Sequence, residues 1–187
     1  MLIYGQKKPI PVLISVFNES TAIPFTRLFT TPVHPGLQLG TEFNYKEMEH
    51  SRLFQTANVC YFYHNYLTQG FGLNTELGYE YRLNSGFAFE GLFGLGYLHT
   101  FATTEEYAHE GGDYSKKADY GNARLCPSLS IGLGYYLNKT DNSPELFVRY
   151  QSWVEYPYSP DFIPVMTHIS LHIGAKFFIF KRTKTND

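Results

Sequence analysis

The chain has 187 residues, enough for one domain, and 15 Lys and Arg residues against 17 Asp and Glu residues give a formal net charge of −2. This balance excludes the clustered basic excess of a nucleic-acid-binding protein, and two cysteines are too few for a disulfide scaffold. No apolar run approaches the roughly 18 residues that a transmembrane helix needs, so only a closed barrel could carry this chain across a bilayer.

The N-terminus resembles the end of a signal peptide. Met1-Leu2-Ile3-Tyr4-Gly5-Gln6 places apolar residues before a small residue and Gln. We interpret residues 1–9 as a residual signal-peptide tail and lead-in, with the mature chain beginning near Gln6. An ordinary cytosolic start is the alternative. The predicted organisation is a barrel over residues 10–180, followed by a periplasmic tail over residues 181–187.

Hydrophobicity alternates with a period of two along most of the chain, which is the pattern of half-buried strands. No stretch of useful length has the helical period. The first segment is the weakest, because Pro9 and Pro11 permit only an edge-like start. Eight strands are predicted, over Ile10–Phe17, Leu37–Tyr45, Gln55–His64, Phe71–Leu83, Phe87–Phe101, Tyr120–Leu137, Leu146–Tyr156 and Ile163–Ile179.

The connections alternate between short turns and longer loops. Asn84–Gly86 and Asn138–Pro144 are short, whereas Asn18–Gly36 and Ala102–Asp119 are the longest. Outer-membrane barrels are built this way, with turns in the periplasm and loops outside. We therefore predict an all-β fold, an eight-stranded antiparallel up-and-down transmembrane β-barrel in the outer membrane, with both termini periplasmic.

Aromatic residues are sorted by depth along the faces predicted to point outward. The middle of these faces carries mainly Leu, Val, Ile, Ala and Thr, so the aromatics form two girdles at the two headgroup boundaries. A soluble β-sandwich or lipocalin-like barrel, the competing architecture, gives no reason for such sorting. The predicted girdle residues are Tyr45, Tyr79, Tyr81, Phe87, Phe89, Tyr135 and Phe177 at the periplasmic end, and Tyr61, Tyr63, Tyr97 and Tyr156 at the extracellular end.

The opposite faces carry charges, which cannot face lipid cheaply and are predicted to point into the lumen. Eight strands enclose an interior that side chains just fill, so a packed polar core is favoured over a conducting pore. The predicted lumen charge network consists of Glu42, Glu76, Glu80, Arg82, Glu90, Arg124, Arg149 and Lys176. Cys60 and Cys126 also fall on inward faces and are expected to remain free thiols.

The last predicted strand resembles the signal read by the barrel-assembly machinery, a polar residue, Gly and two hydrophobic positions. His172, Gly174, Phe177 and Ile179 fill these places. More broadly, Ser15–Thr21 and His34–Phe43 give the chain a resemblance to small outer-membrane barrel proteins of Bacteroidota, of the OmpA/OmpX type. The resemblance implies contact with the lipid bilayer and lipopolysaccharide, and insertion by that machinery. It implies no particular activity.

An enzymatic alternative arises from the last strand. His168-Ile-Ser170 faintly resembles the His-x-Ser element of lipid A deacylase barrels, and a Ser activated by His is a workable nucleophile. Against it, Leu171 stands where that pattern continues with Asn, no later strand can supply a carboxylate, and the predicted phase points both residues into the lumen. The remaining histidines lack ligand spacing, so no metal or other cofactor is expected.

The loops carry the remaining functional information. Asn18–Gly36 is apolar and stiffened by prolines, so it is predicted either to fold over the barrel mouth or to dock an outer-membrane partner protein through Phe25, Leu28 and Phe29. Ala102–Asp119 is charged and predicts a solvated surface loop. We therefore favour a non-enzymatic structural or accessory subunit of an outer-membrane complex, ahead of a lipid A-modifying acyl hydrolase and, third, a narrow pore or small-ligand binder.

Overall fold

In the computed structural model, the described residues are 9–65, 67–104, 107–110, 113–116, 118–138, 143–159 and 162–179. Residues 1–8 and 180–187, which include most of the predicted leader remnant and the whole predicted tail, lie outside them. No helix in the described part of the chain is long and apolar enough to cross a membrane. The strands are β1 Pro11–Thr21, β2 Pro35–Glu47, β3 Ser51–Tyr63, β4 Thr68–Arg82, β5 Phe87–Ala102, β6 Tyr107–Glu110, β7 Asp113–Lys116, β8 Asn122–Tyr136, β9 Glu145–Glu155 and β10 Met166–Phe178.

Eight of these strands form a closed antiparallel barrel in the order β1-β10-β9-β8-β5-β4-β3-β2. Because β1 pairs with β2 on one side and with β10 on the other, the sheet has no free edge. The predicted eight-stranded antiparallel barrel is confirmed. Connections at one end, the turn end, are short, with β2 ending at Glu47 and β3 beginning at Ser51. The longest connections lie at the other end, the loop end, although the β3–β4 connection there, residues 64–67, is also short.

Polarity alternates across the barrel wall, with charges inside and apolar side chains outside. On β5, Glu90 is 9% exposed, whereas its neighbour Phe89 is 53% exposed and Phe93 is 68% exposed. The soluble architecture required the reverse, with Leu, Ile and Tyr turned inward, and that alternative is wrong. The aromatics predicted for the girdles lie on the outer face, seven near the turn end and four near the loop end.

Several predicted element boundaries are wrong, among them the start of β3, which lies at Ser51 and not at Gln55. The first strand was expected to end at Phe17, but β1 continues to Thr21 because Glu19 and Thr21 pair with Ser170 and His168 of β10. The loop predicted over Asn18–Gly36 is therefore confined to residues 22–34. The loop predicted over Ala102–Asp119 contains a small hairpin of β6 and β7, a local pairing that its charged composition does not reveal.

Inward-facing glycines make room for the large side chains that fill the lumen. A Cβ on Gly94 would meet Ser128 Oγ and Glu76 Cγ, and it would press on the carbonyl of Thr75. Gly91 lies three residues earlier on the same strand, faces outward, and has open space where a Cβ would stand. Substitutions at the two positions therefore distinguish the cost of overpacking the lumen from the general cost of replacing a glycine in a strand.

We expect Gly94→Val to destabilise the barrel by about 1–3 kcal/mol, because the extra atoms overpack the lumen. Gly91→Val is the matched control and should change stability little. The measurement is equilibrium urea unfolding of each variant after refolding in detergent micelles. Equal losses for the two variants would contradict a tightly packed interior at Gly94.

Candidate functional site

Arg52 on β3 holds the charged network at the turn end of the lumen. One guanidinium nitrogen donates to Glu42 of β2 at 2.5 Å, and the other donates to Glu80 of β4 at 2.6 Å. The guanidinium also lies over the ring of Phe54, 4.1 Å from its centroid. Arg52 was not among the predicted lumen charges, although the alternation that places Thr56 inside also places Arg52 inside.

Lys176 on β10 joins this group from the far side of the lumen. Its ammonium contacts Glu42 at 3.4 Å and also Glu145 of β9, and it donates to the hydroxyl of Tyr136 at 3.2 Å. That hydroxyl donates to the Glu80 carboxylate at 2.9 Å. Glu145 was also not predicted, because it stands at the first position of its strand.

A second group of charges lies nearer the middle of the lumen. Arg149 of β9 donates through Nε to Glu90 at 2.7 Å, and its Nη1 lies 3.5 Å from Glu76. Glu76 also accepts hydrogen bonds from Ser130 at 2.7 Å and Gln151 at 3.0 Å. These side chains come from four different strands, so the network ties the wall together across its interior.

An apolar layer follows above the charges, toward the loop end. It consists of Phe17, Phe62, Leu98 and Trp153, with the free thiols of Cys60 and Cys126 packed against it. The cavity among these residues has a volume of only about 50 Å³. Side chains therefore fill this level of the lumen.

A third charged group closes the loop end. Nδ1 of His168 lies 2.7 Å from Glu19, and its Nε2 lies 3.2 Å from Glu155, which is paired in turn with Arg124 at 3.1 Å. The imidazole stacks on Trp153, with ring centroids 4.1 Å apart. Glu19 was not predicted because it was assigned to a loop, and Glu155 was also not among the predicted lumen charges.

The eight predicted network residues fall into these three groups and do not form one continuous network. Six are buried, whereas Arg82 and Arg124 are half-buried near the two ends. Arg82 contacts Glu80 at 3.3 Å and covers the ring of Tyr136. A vestibule of about 730 Å³ opens at the turn end, with Arg52, Glu80 and Lys176 in its lining. Above it, the paired charges and the apolar layer occupy the space that a conducting path would need.

The candidate hydrolase residues are both in the lumen, but the structure does not join them as a nucleophile and its base. Ser170 Oγ accepts a hydrogen bond from Trp153 Nε1 at 3.1 Å, while both ring nitrogens of His168 face glutamates. Ser170 is 1% exposed. Within the described residues, no cluster of three or more His, Cys, Asp or Glu side chains is arranged to hold a metal ion.

The predicted assembly-signal residues divide between the two faces of β10 and its end. His172 points inward, where Nδ1 lies 3.2 Å from Ser15 Oγ and the ring stacks on Phe17. Gly174 also points inward, where a Cβ would meet the ring of Phe147. Phe177 and Ile179 are exposed on the outer side.

Residues 22–33, here called the strap, pack against the outer wall of the barrel at the loop end. The Ala22 amide donates to the Thr167 carbonyl at 3.2 Å, and the Phe25 amide donates to the Tyr150 hydroxyl at 2.9 Å. These contacts hold the strap beside β9 and β10. This loop was predicted either to fold over the barrel mouth or to dock a partner, and the contacts place it against the wall and not over the mouth. The predicted partner residues Phe25, Leu28 and Phe29 are all exposed.

The fold matches solved structures of outer-membrane barrels. Neisserial surface protein A (NspA) matches with a TM-score of 0.54 at 11% identity, over 90% of this chain and 94% of that one. The outer membrane enzyme PagL matches at 0.51 and 12%, over 89% and 98%. Ail, the attachment invasion locus protein of Yersinia pestis, matches at 0.50 and 12%, over 92% and 100%. No protein-family model and no curated protein sequence matches the chain. At these identities the likeness shows the fold alone.

We expect Arg52→Ala to destabilise the barrel by about 3–5 kcal/mol, because Glu42 and Glu80 would remain buried without their shared cation. Arg82→Ala is the matched control. It removes a cation from the same Glu80 carboxylate, but the Arg82 side chain is 37% exposed. Because solvent screens an exposed ion pair, we expect a loss of stability of about 0–1 kcal/mol. Urea unfolding in micelles measures both. Similar losses would contradict the central position of Arg52.

A second prediction concerns His64, which follows β3 at the loop end and stacks on His34 with centroids 3.5 Å apart. Burial lowers the pKa of His64, and the His34 ring lowers it further. The folded state thus favours the neutral ring, and this contribution to stability is present above about pH 6.5 and lost as the pH falls below it. An NMR titration should give a pKa for His64 below the ordinary value, and His34→Phe should move it upward. A His64 pKa at or above the ordinary value would contradict this arrangement.

Proposed function

We propose that the chain is an integral outer-membrane protein with a structural, non-enzymatic role. The observation that carries this proposal is the inverted polarity of the wall. Large apolar side chains stand exposed around its circumference, while Glu42, Glu76, Glu80, Arg149 and Lys176 are buried inside. Exposing that much apolar surface to water is unfavourable, and a lipid environment removes the cost. The exposed mid-wall residues include Val16, Leu39, Leu73, Phe93, Ile131, Val148 and Ile173.

The orientation follows from the connections. Short turns and both ends of the described chain, Pro9 and Ile179, lie at the same end of the barrel. Outer-membrane barrels keep short turns and termini in the periplasm. On this proposal the strap and the β6–β7 hairpin lie on the outer side, where lipopolysaccharide is the surrounding lipid. The last strand would be recognised by the barrel-assembly machinery during insertion.

The structural role is supported by the partners of the lumen side chains. The lumen glutamates described above contact cations, hydroxyls or amides of the barrel itself, and Ser170 is engaged by Trp153. Groups that are paired in this way stabilise the barrel wall, and few of their hydrogen-bonding positions remain for a substrate. A narrower candidate, an accessory subunit whose Phe25, Leu28 and Phe29 contact a neighbouring protein, competes with lipid for these residues. Because these residues lie beside the wall, that neighbour would lie in or near the plane of the membrane.

The refolded protein should show heat-modifiable migration. An unboiled sample in SDS is expected to run faster than a boiled one, because a closed barrel resists unfolding by the detergent. A chain that is soluble without detergent and shows no shift would contradict the proposal. Acyl release from lipopolysaccharide that is lost in Ser170→Ala would instead support the hydrolase.

A matched pair of substitutions tests the lipid-facing surface itself. Ile131 stands outward in the middle of β8, and Leu137 stands exposed just past its turn end. Ile131→Arg should cost about 2–4 kcal/mol in a bilayer, whereas Leu137→Arg should cost roughly 0–1 kcal/mol near the interface. Equal costs at the two depths would contradict a membrane-spanning wall.

A further inference from the structure

The strap covers a polar patch on an otherwise apolar wall. Asn18, Ser20 and Ser152 stand on the outward side of β1 and β9, yet each is only 4–8% exposed. Ile169 of β10 lies among them and is 2% exposed. Elsewhere the outward positions at mid-wall are roughly half exposed, as for Val148 at 45%. The difference is that the strap lies on this part of the barrel.

The strap supplies hydrogen-bond partners for the polar groups beneath it. Asn18 donates to the Thr30 carbonyl at 3.0 Å and accepts from the His34 amide at 2.7 Å. The hydroxyl of Ser20 contacts that of Thr30. Polar groups that would be unsatisfied against lipid are thus paired within the protein.

The outer side of the strap restores the apolar character of the wall. Ile23, Phe25, Leu28, Phe29 and Val33 are each more than half exposed, and Arg27 is the single charged side chain among residues 22–33. Phe25 keeps a φ of 61°, a left-handed conformation that disfavours a large side chain. A hydrogen bond from its backbone amide to the Tyr150 hydroxyl, and a contact between the two rings with a centroid distance of 5.4 Å, hold it there.

We propose that the strap is a lipid-contacting part of the barrel wall, seated at the boundary between hydrocarbon and headgroups in the outer leaflet. The inference rests on the proposed membrane location and names the lipid surface as the partner of the strap. Continuity with the apolar wall favours lipid over water, because the strap replaces a polar patch by an apolar one. The headgroup boundary suits aromatic side chains, and a long Arg side chain can extend its charge toward phosphate and water.

Tryptophan reporters in bilayers containing brominated lipid test this assignment. Trp153, the single native tryptophan, lies in the lumen and gives a constant background. Leu28→Trp places a reporter on the strap. Ile173→Trp places one on the mid-wall as the lipid-facing control, and Tyr120→Trp places one at a residue that is 86% exposed at the loop end as the aqueous control. Heat-modifiable migration of each variant verifies that it folds.

We expect brominated lipid to quench the added emission from position 28 about as strongly as at position 173, and aqueous iodide to quench it far less than at position 120. Strong iodide quenching at position 28 without quenching by brominated lipid would overturn the assignment. Protection from iodide only in native outer membranes, and not in pure lipid, would overturn it in favour of a protein neighbour. Failure of brominated lipid to quench at position 173 would instead reject the membrane location.

Discussion

The pairing of charges inside a narrow closed wall is the interaction on which the rest of this structure depends. Eight strands direct every second side chain into a lumen that side chains themselves must fill. In such an interior an unpaired charge is very costly. Arg52 between Glu42 and Glu80, and Arg149 between Glu76 and Glu90, satisfy this requirement with partners from different strands. Each pair therefore fixes the relative position of the strands that supply it.

The same constraint shapes the surroundings of these pairs. Glycines on neighbouring strands admit the long side chains, as Gly132 does for Glu90 and Gly134 for Glu145. Between the lower charges and the loop-end group, Phe17, Phe62, Leu98 and Trp153 pack together across the lumen. With the lumen above the turn-end vestibule committed to its own packing, contact with other molecules falls to the outer surface and the two ends of the barrel. The strap is one departure from a plain wall in that region, and the β6–β7 hairpin is another.

The period of two was sufficient to predict the fold and most of the lumen. It placed Glu76 and Arg149 inside because their neighbours along the strand are strongly apolar. It did not predict Arg52 and Glu145 because both stand at strand ends. There, alternating residues follow on one side only, so the pattern is harder to recognise. Following the phase of β3 to its first residues would have found Arg52.

Long-range pairing explains what the sequence did not predict. Glu19 was assigned to a loop because Asn, Glu, Ser and Thr follow one another there, a composition typical of turns. Its pairing with Ser170 on β10, more than a hundred residues away, extends the strand. The strap was recognised as apolar and stiff, but no local signal indicates that it lies on the wall. That position depends on Tyr150 and Thr167, which come close only when the barrel closes.

The most direct test of the inverted wall is a nitroxide scan along β5 in bilayers, from Phe87 to Tyr97, in a background with Cys60 and Cys126 replaced by Ser. Oxygen concentrates in lipid, whereas a charged nickel complex stays in water, so their collision rates separate the two environments. We predict alternation with a period of two, in which mid-strand labels such as that at Phe93 collide with oxygen and those at inward positions such as Leu92 collide with neither. Collision of the outward labels with the nickel complex along the whole strand would contradict the account.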